Sequence, residues 1–137
     1  MPWELQLTPE AENWMRGLSE RERSHLRTAF EALEARGPAL PRPLADRVKE
    51  SRYHHMKELR PPRGNNRVLF AFDPNRRAVI LLGGDKTGQW NRWYRTNIPR
   101  ADRLYEGHLR GIGKAGNGNA KETAWRQGLT GERSSGR

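Results

Sequence analysis

The middle of this chain carries a run of cationic and titratable groups: His54-His55, Lys57, Arg60 and Arg63, then Arg67, then Lys86. Together they have what is needed to break an RNA phosphodiester without a metal. The neighbouring 2′-hydroxyl must lose a proton, the phosphorane must be stabilised, and the departing 5′-oxygen must gain a proton. Fixed Arg and Lys in a partly desolvated groove favour the extra negative charge of that transition state. The proton transfers need a group that titrates. A histidine with an ordinary pKa of about 6.5 does so near neutrality, and Lys57 becomes a base only where other cations depress its pKa. Glu58, Asp73 and Asp85 are the main acids nearby, and they lack the clustering that a two-metal nuclease needs. We therefore expect no metal and no other cofactor. A second group, Trp90, Arg92, Trp93, Tyr94 and Arg95, mixes rings and cations as base-stacking surfaces do.

Each of these signals also has a plainer reading. Clustered Lys and Arg on a sheet can merely hold phosphates or face solvent. Adjacent histidines point opposite ways on a regular strand, so at most one of His54 and His55 enters a shared site, and either can instead be a packed, hydrogen-bonded residue. Tryptophans beside a small sheet often close its core.

The surrounding pattern defines the elements that position these groups. Trp3, Leu5 and Leu7 alternate with polar residues, as in a short strand with one buried face. Thr8 caps a helix opening at Pro9, and Ser19 with Glu22 has capping-box spacing for a second helix that ends at Gly37-Pro38. The acids and arginines interleaved on this second helix read as a solvated face. The stretch 39–51, with Pro41 and Pro43, reads as a connecting loop. Tyr53 to Leu59, then Val68 to Phe72, then Ala78 to Leu82 read as a meander of three antiparallel strands, the last apolar on both faces and ended by Gly83-Gly84. A Trp- and Arg-rich loop and a helix from Pro99 to Leu109 follow. Antiparallel pairing brings Arg60, Arg67 and Lys86 to one end of the sheet. The predicted fold class is α+β: an N-terminal strand and helix hairpin packed on a small antiparallel sheet, with a C-terminal helix.

The chain has 137 residues, 34% of them hydrophobic and 31% charged, which fits one domain with a modest core. Its 26 Lys and Arg exceed its 16 Asp and Glu, a net charge of +10, so a polyanion is the expected partner. It has no cysteine, which removes disulfides and thiolate chemistry. The absence of any long apolar run or signal-peptide pattern predicts a cytoplasmic protein with no membrane partner. Residues 1–110 read as the folded domain, and 111–137, rich in Gly, Asn and Ser, as a basic disordered tail.

The blocks His55-Met56-Lys57-Glu58-Leu59-Arg60, Arg67-Val68-Leu69-Phe70-Ala71-Phe72-Asp73 and Ala78-Val79-Ile80-Leu81-Leu82, with Lys86-Thr87 behind them, resemble the RelE/HigB toxins of bacterial toxin–antitoxin pairs, in particular the phage-like HigB branch. That resemblance implies an endoribonuclease that cuts mRNA on the ribosome and is blocked by a cognate antitoxin, often a helix-turn-helix DNA-binding protein. By position, Lys57 and Arg60 match the family's basic strand, Arg67 its phosphate-binding arginine and Lys86 the basic residue after the last core strand. Where many relatives carry consecutive lysines, this chain has Asp85-Lys86-Thr87 and then a Trp-rich insertion. The general acid is thus open among Lys86, Tyr94, His54 and His55. The related ParE branch poisons gyrase instead of cutting RNA, so a gyrase inhibitor is the rival expectation, with a non-catalytic nucleic-acid-binding module behind it.

Overall fold

The computed structural model describes residues 2–115, of 113–115 the backbone only, together with Trp125, Arg126 and Leu129. Strand β1 (Glu4–Leu7) runs into helix α1 (Pro9–Arg16), followed by α2 (Glu20–Arg36), a single 3-10 turn at Gly37–Ala39, and strands β2 (Ala45–Arg47), β3 (Met56–Leu59), β4 (Asn66–Phe72) and β5 (Arg77–Asp85). Helix α3 (Trp90–Ala115) closes the domain. None of the described helices is long and apolar enough to cross a membrane.

The helix starts follow the sequence signals. The Thr8 hydroxyl accepts from the Ala11 amide at 3.0 Å and donates to the Leu81 carbonyl at 2.6 Å, so one side chain caps α1 and ties it to β5. Ser19 and Glu22 exchange both capping-box hydrogen bonds at the start of α2.

The sheet has five strands in the order β1-β5-β4-β3-β2. It is mixed, not wholly antiparallel as predicted: β1 pairs in parallel with β5, while the other pairs are antiparallel. The alternation of Trp3, Leu5 and Leu7 specifies a strand but not its neighbour. The α1–α2 hairpin carries the chain over one face before β2 begins, and the edge left for β1 is that of β5. The strand β2 lies inside the stretch read as a loop. Its short sequence Ala45-Asp46-Arg47 carries no alternating pattern, and pairing with β3 makes it a strand.

Both sheet faces are buried, as the apolar run from Ala78 to Leu82 in β5 requires. On one face Leu5, Leu59, Val68, Phe70 and Ile80 pack against Met15, Leu26, Phe30 and Leu33 of α1 and α2. On the other, Met56, Leu69, Val79 and Leu81 pack against Trp93, Ile98, Ala101 and Tyr105 of α3. The β4–β5 register shifts between Leu69 and Phe70, which pair with Leu82 and Ile80. Leu81 is thereby left extra, and Leu81 and Leu82 both join the α3 side.

Gly83 and Gly84 do not end the third strand of the meander; they lie within β5. Their missing side chains admit two tryptophans from opposite layers, Trp14 over Gly83 and Trp93 over Gly84. The Trp-rich segment expected to be a loop is the first turns of α3, which runs on through Pro99. Of the segment assigned to a disordered tail, residues 111–115 continue α3. Trp125 and Leu129 are buried, Trp125 edge-on to Phe30 at 5.3 Å, and Arg126 pairs with Glu34 at 2.6 Å. The rest of that expectation lies outside the described residues.

Candidate functional site

The sheet register dictates which side chains meet. On β3, Met56 and Glu58 face α3, whereas Lys57 and Leu59 face the helix-hairpin side, because side chains alternate. On β4, Arg67 shares the α3 side with Leu69, and it lies opposite Gly84 of β5. Lys86 follows β5 directly, its amide held by the Asn65 carbonyl at 3.1 Å. The first turns of α3 lie over this end of the sheet and bring Tyr94 down to Glu58.

Arg60, Arg67, Lys86, Glu58 and Tyr94 thus form one cluster. Glu58, 4% exposed, is its hub: Tyr94 Oη donates to Oε1 at 2.7 Å and Arg60 donates to Oε2 at 2.7 Å. Arg60 also reaches Asp46 of β2 at 3.3 Å. The Lys86 ammonium, itself buried, lies 4.0 Å from the Trp90 ring centroid and 5.3 Å from that of Tyr94. Arg67 donates to the Asn66 carbonyl, and its Nε is buried with no hydrogen-bond partner among the described residues. A groove of about 680 Å³ opens beside the cluster, lined by Glu58, Arg60, Lys86, Tyr94, Arg95 and the β2 edge.

The electrostatics follow from this packing. Burial, then the neighbouring Arg67 and Arg60, hold the Lys86 amine below its ordinary pKa against the opposing pull of Glu58. Burial and the hydrogen bond to Glu58 push Tyr94 up to about 12, so it stays a donor at neutral pH. Burial works against the Arg60 charge, but the bond and charge of Glu58, with Asp46 behind it, raise its pKa. The site therefore holds fixed cations, a carboxylate and a weakened ammonium around one opening.

The structure separates other residues that the sequence grouped with these. Lys57 lies on the opposite sheet face, its ammonium 5.9 Å from the Phe72 ring centroid, so the lysine offered as a possible base does not join Arg67 and Lys86. A one-residue offset on a strand is enough to exchange faces. His54 and His55 are not on a strand; they sit exposed in the turn before β3. There Tyr53 N–H bonds to Ser51, whose hydroxyl donates to the buried Asp102. His55 meets Tyr105 Oη at 3.2 Å, away from the groove, and burial with the neighbouring His54 and Lys57 lowers its pKa. Arg63 is exposed in the β3–β4 turn and lines a separate cleft with Arg21 and His25. Trp93 belongs to the core beneath α3, not to a stacking surface, whereas Trp90 is 55% exposed beside Lys86. Arg92 and Arg95 are exposed on α3.

Sequence reasoning missed Glu58 as a site residue. Its signal was present: an acid at the same alternate position as Met56, on a strand face buried by α3, needs cationic or hydroxyl partners.

The model of the phage-derived Gp49-like protein family matches residues 13–106. The chain is 48% identical over 103 residues to the candidate toxin HigB3 of Mycobacterium tuberculosis, covering 75% of this chain and 90% of that protein. It is 46% identical over 99 residues to the candidate toxin HigB2 of the same organism, covering 70% of this chain and 49% of that protein. Among solved structures, a chain of the RelBE2 toxin–antitoxin complex from M. tuberculosis superposes with a TM-score of 0.48 at 21% identity, over 62% of this chain and 99% of that one. The resemblance to phage-like HigB proteins read from the strands is thus met by a family match over most of the chain: the protein belongs to the Gp49-like family of phage-derived proteins.

Proposed function

We propose that this protein is the toxin of a toxin–antitoxin pair and that it acts as an endoribonuclease on mRNA in the ribosome, without a metal. The toxin reading rests on family membership and on the two relatives bearing toxin names. The nuclease reading is carried by one observation, the groove at which Arg60, Lys86, Tyr94 and Glu58 meet, with Arg67 beside Lys86 and Tyr94.

In this mechanism Arg67 and Arg60 hold the scissile phosphate and neutralise the phosphorane, the kind of preorganised charge that supplies most of such a rate enhancement. The proton-accepting role that the sequence gave to Lys57 or a histidine passes to Glu58. Its two oxygens keep lone pairs beyond those used by Tyr94 and Arg60. The 2′-hydroxyl proton goes to Glu58, the 2′-oxygen bonds to phosphorus, and the bond to the 5′-oxygen breaks. Lys86, more acidic than an ordinary lysine, returns a proton to the departing oxygen. Tyr94 positions Glu58, and Trp90 offers a ring for a neighbouring base. Its cytoplasmic partners are mRNA, the ribosome and an antitoxin, which we expect to be a helix-turn-helix protein.

The test is to incubate the purified protein with translating ribosomes. Messages cut within codons by the natural protein, and left whole by Arg67→Gln and Lys86→Gln variants of native stability, are the expected outcome. Intact messages with poisoned gyrase would move the protein to the rival class.

A further inference from the structure

Both long helices carry several arginines, but in different surroundings. On α2, acids interleave with arginines, and its Glu31 and Glu34 are paired by Arg126. On α3, Arg92, Arg95, Arg103 and Arg110 fall within about a third of the helix circumference at 100° per residue, and all four are exposed. None of the four has a carboxylate partner among the described residues. The one acid within that sector, Glu106, is held by Arg52 at 2.8 Å, so it subtracts nothing from the stripe. From Arg92 to Arg110 the row extends about 27 Å at 1.5 Å per residue. Its N-terminal end abuts the groove, where Arg95 is itself a lining residue.

We infer that the outer face of α3 is a docking surface for an RNA backbone that meets the cleavage groove at Arg95 and extends away from it. The stripe matches a polyphosphate in charge, and unpaired exposed guanidiniums are free to bond phosphate oxygens two at a time. A row of this length spans several successive phosphates, and no aromatic ring lies within it to read bases, so the contact is to the backbone and independent of sequence. Residues of the stripe distant from the groove, Arg103 and Arg110, do not touch the reacting atoms. The surface deepens the nuclease reading by naming how its RNA is held, but binding here does not require that cleavage occurs.

The experiment measures binding of the full chain to a labelled 2′-O-methyl RNA strand, which lacks the nucleophile and cannot be cut, by fluorescence anisotropy across a salt series. Replacing Arg92, Arg95, Arg103 and Arg110 together by Gln should reduce the slope of log affinity against log salt by about 3 and weaken binding by about 600-fold near 0.1 M salt, at roughly 0.7 per phosphate contact. The matching four-Lys variant should retain most of the slope, which separates charge from a folding defect. Lys86→Gln should leave the slope within one unit of the natural protein, so loss of cutting and loss of docking are read apart. An unchanged slope in the four-Gln variant overturns the inference. So does a variant that binds RNA normally but no longer binds an acidic polypeptide, which would make the stripe a protein-docking face.

Discussion

Adding one methyl group at Gly84 sets the fold against the site. A Cβ built there would lie 2.6 Å from Trp93 Nε1 and 3.2 Å from two further atoms of that indole. The neighbour is a buried ring held between β5 and α3, so it cannot swing into solvent. Overpacking of this kind costs about 1–3 kcal/mol. At about 4 °C per kcal/mol for a domain of this size, Gly84→Ala should lower Tm by about 4–12 °C. Gly107→Ala is the matched control: it makes the same chemical change in the interior of α3, where a Cβ meets nothing within 4 Å. It should stabilise the protein by about 0.5–1 kcal/mol through helix propensity alone. On the proposed mechanism the Gly84 variant should also lose cutting activity. Trp93 packs edge-on to Tyr94 with centroids 5.2 Å apart, and moving the first turn of α3 draws Tyr94 from Glu58. A displacement near 1 Å at a catalytic group costs on the order of a hundredfold in rate. Calorimetric melts and cleavage rates of the two variants check this. A Gly84→Ala protein as stable and active as the natural one would refute the packing argument.

Three further outcomes follow from the geometry. Asp73 is buried and accepts from Asn75 N, Arg77 N, Arg77 Nε and His108. Burial works to raise its pKa, but these donors and the Arg77 charge hold it below the ordinary value. Asp73→Asn should therefore cost about 3–5 kcal/mol near neutral pH. The difference from the natural protein should shrink as pH falls below an unfolded value of about 3.9 and through the lower folded one, in pH-dependent urea melts. Tyr94→Phe leaves a Glu58 oxygen without its donor and should cost about 1–3 kcal/mol. Because Tyr94 is raised to about 12, that difference should hold up to about pH 10 and fade as pH climbs through the folded value. Trp125→Ala empties a buried site against Phe30 and should cost about 3–5 kcal/mol in thermal melts; an unchanged Tm would mean that the Trp125 contact contributes nothing.

Local signals in the sequence specify most of the elements. Thr8, Ser19 and Glu22 mark helix starts because caps are made within one turn, and the doubly apolar run of β5 announces a strand covered on both sides. What the sequence does not carry is the choice of partner. Nothing in Leu5 or Leu7 says that β1 joins β5 in parallel, and Ala45-Asp46-Arg47 becomes a strand only by pairing with β3. The tryptophans were legible as a group but not as a pair of opposites: Trp93 is buried because Gly84 makes room for it, a contact between residues on two elements. For the site, the ends of three strands brought Arg60, Arg67 and Lys86 together as antiparallel pairing requires. Lys57 went astray because alternation places it on the other face from its neighbour Glu58, and the histidines because β3 begins only at Met56.

The chemistry of the cut ends tests the mechanism most directly. Message fragments produced on ribosomes by this protein should carry a 2′,3′-cyclic phosphate or its opened form on one side and a 5′-hydroxyl on the other, and a message with a single 2′-deoxynucleotide at the cut position should resist. Fragments ending in 3′-hydroxyl and 5′-phosphate, or continued cutting at the deoxynucleotide, would contradict an attack by the 2′-oxygen within the groove lined by Glu58, Arg60 and Lys86.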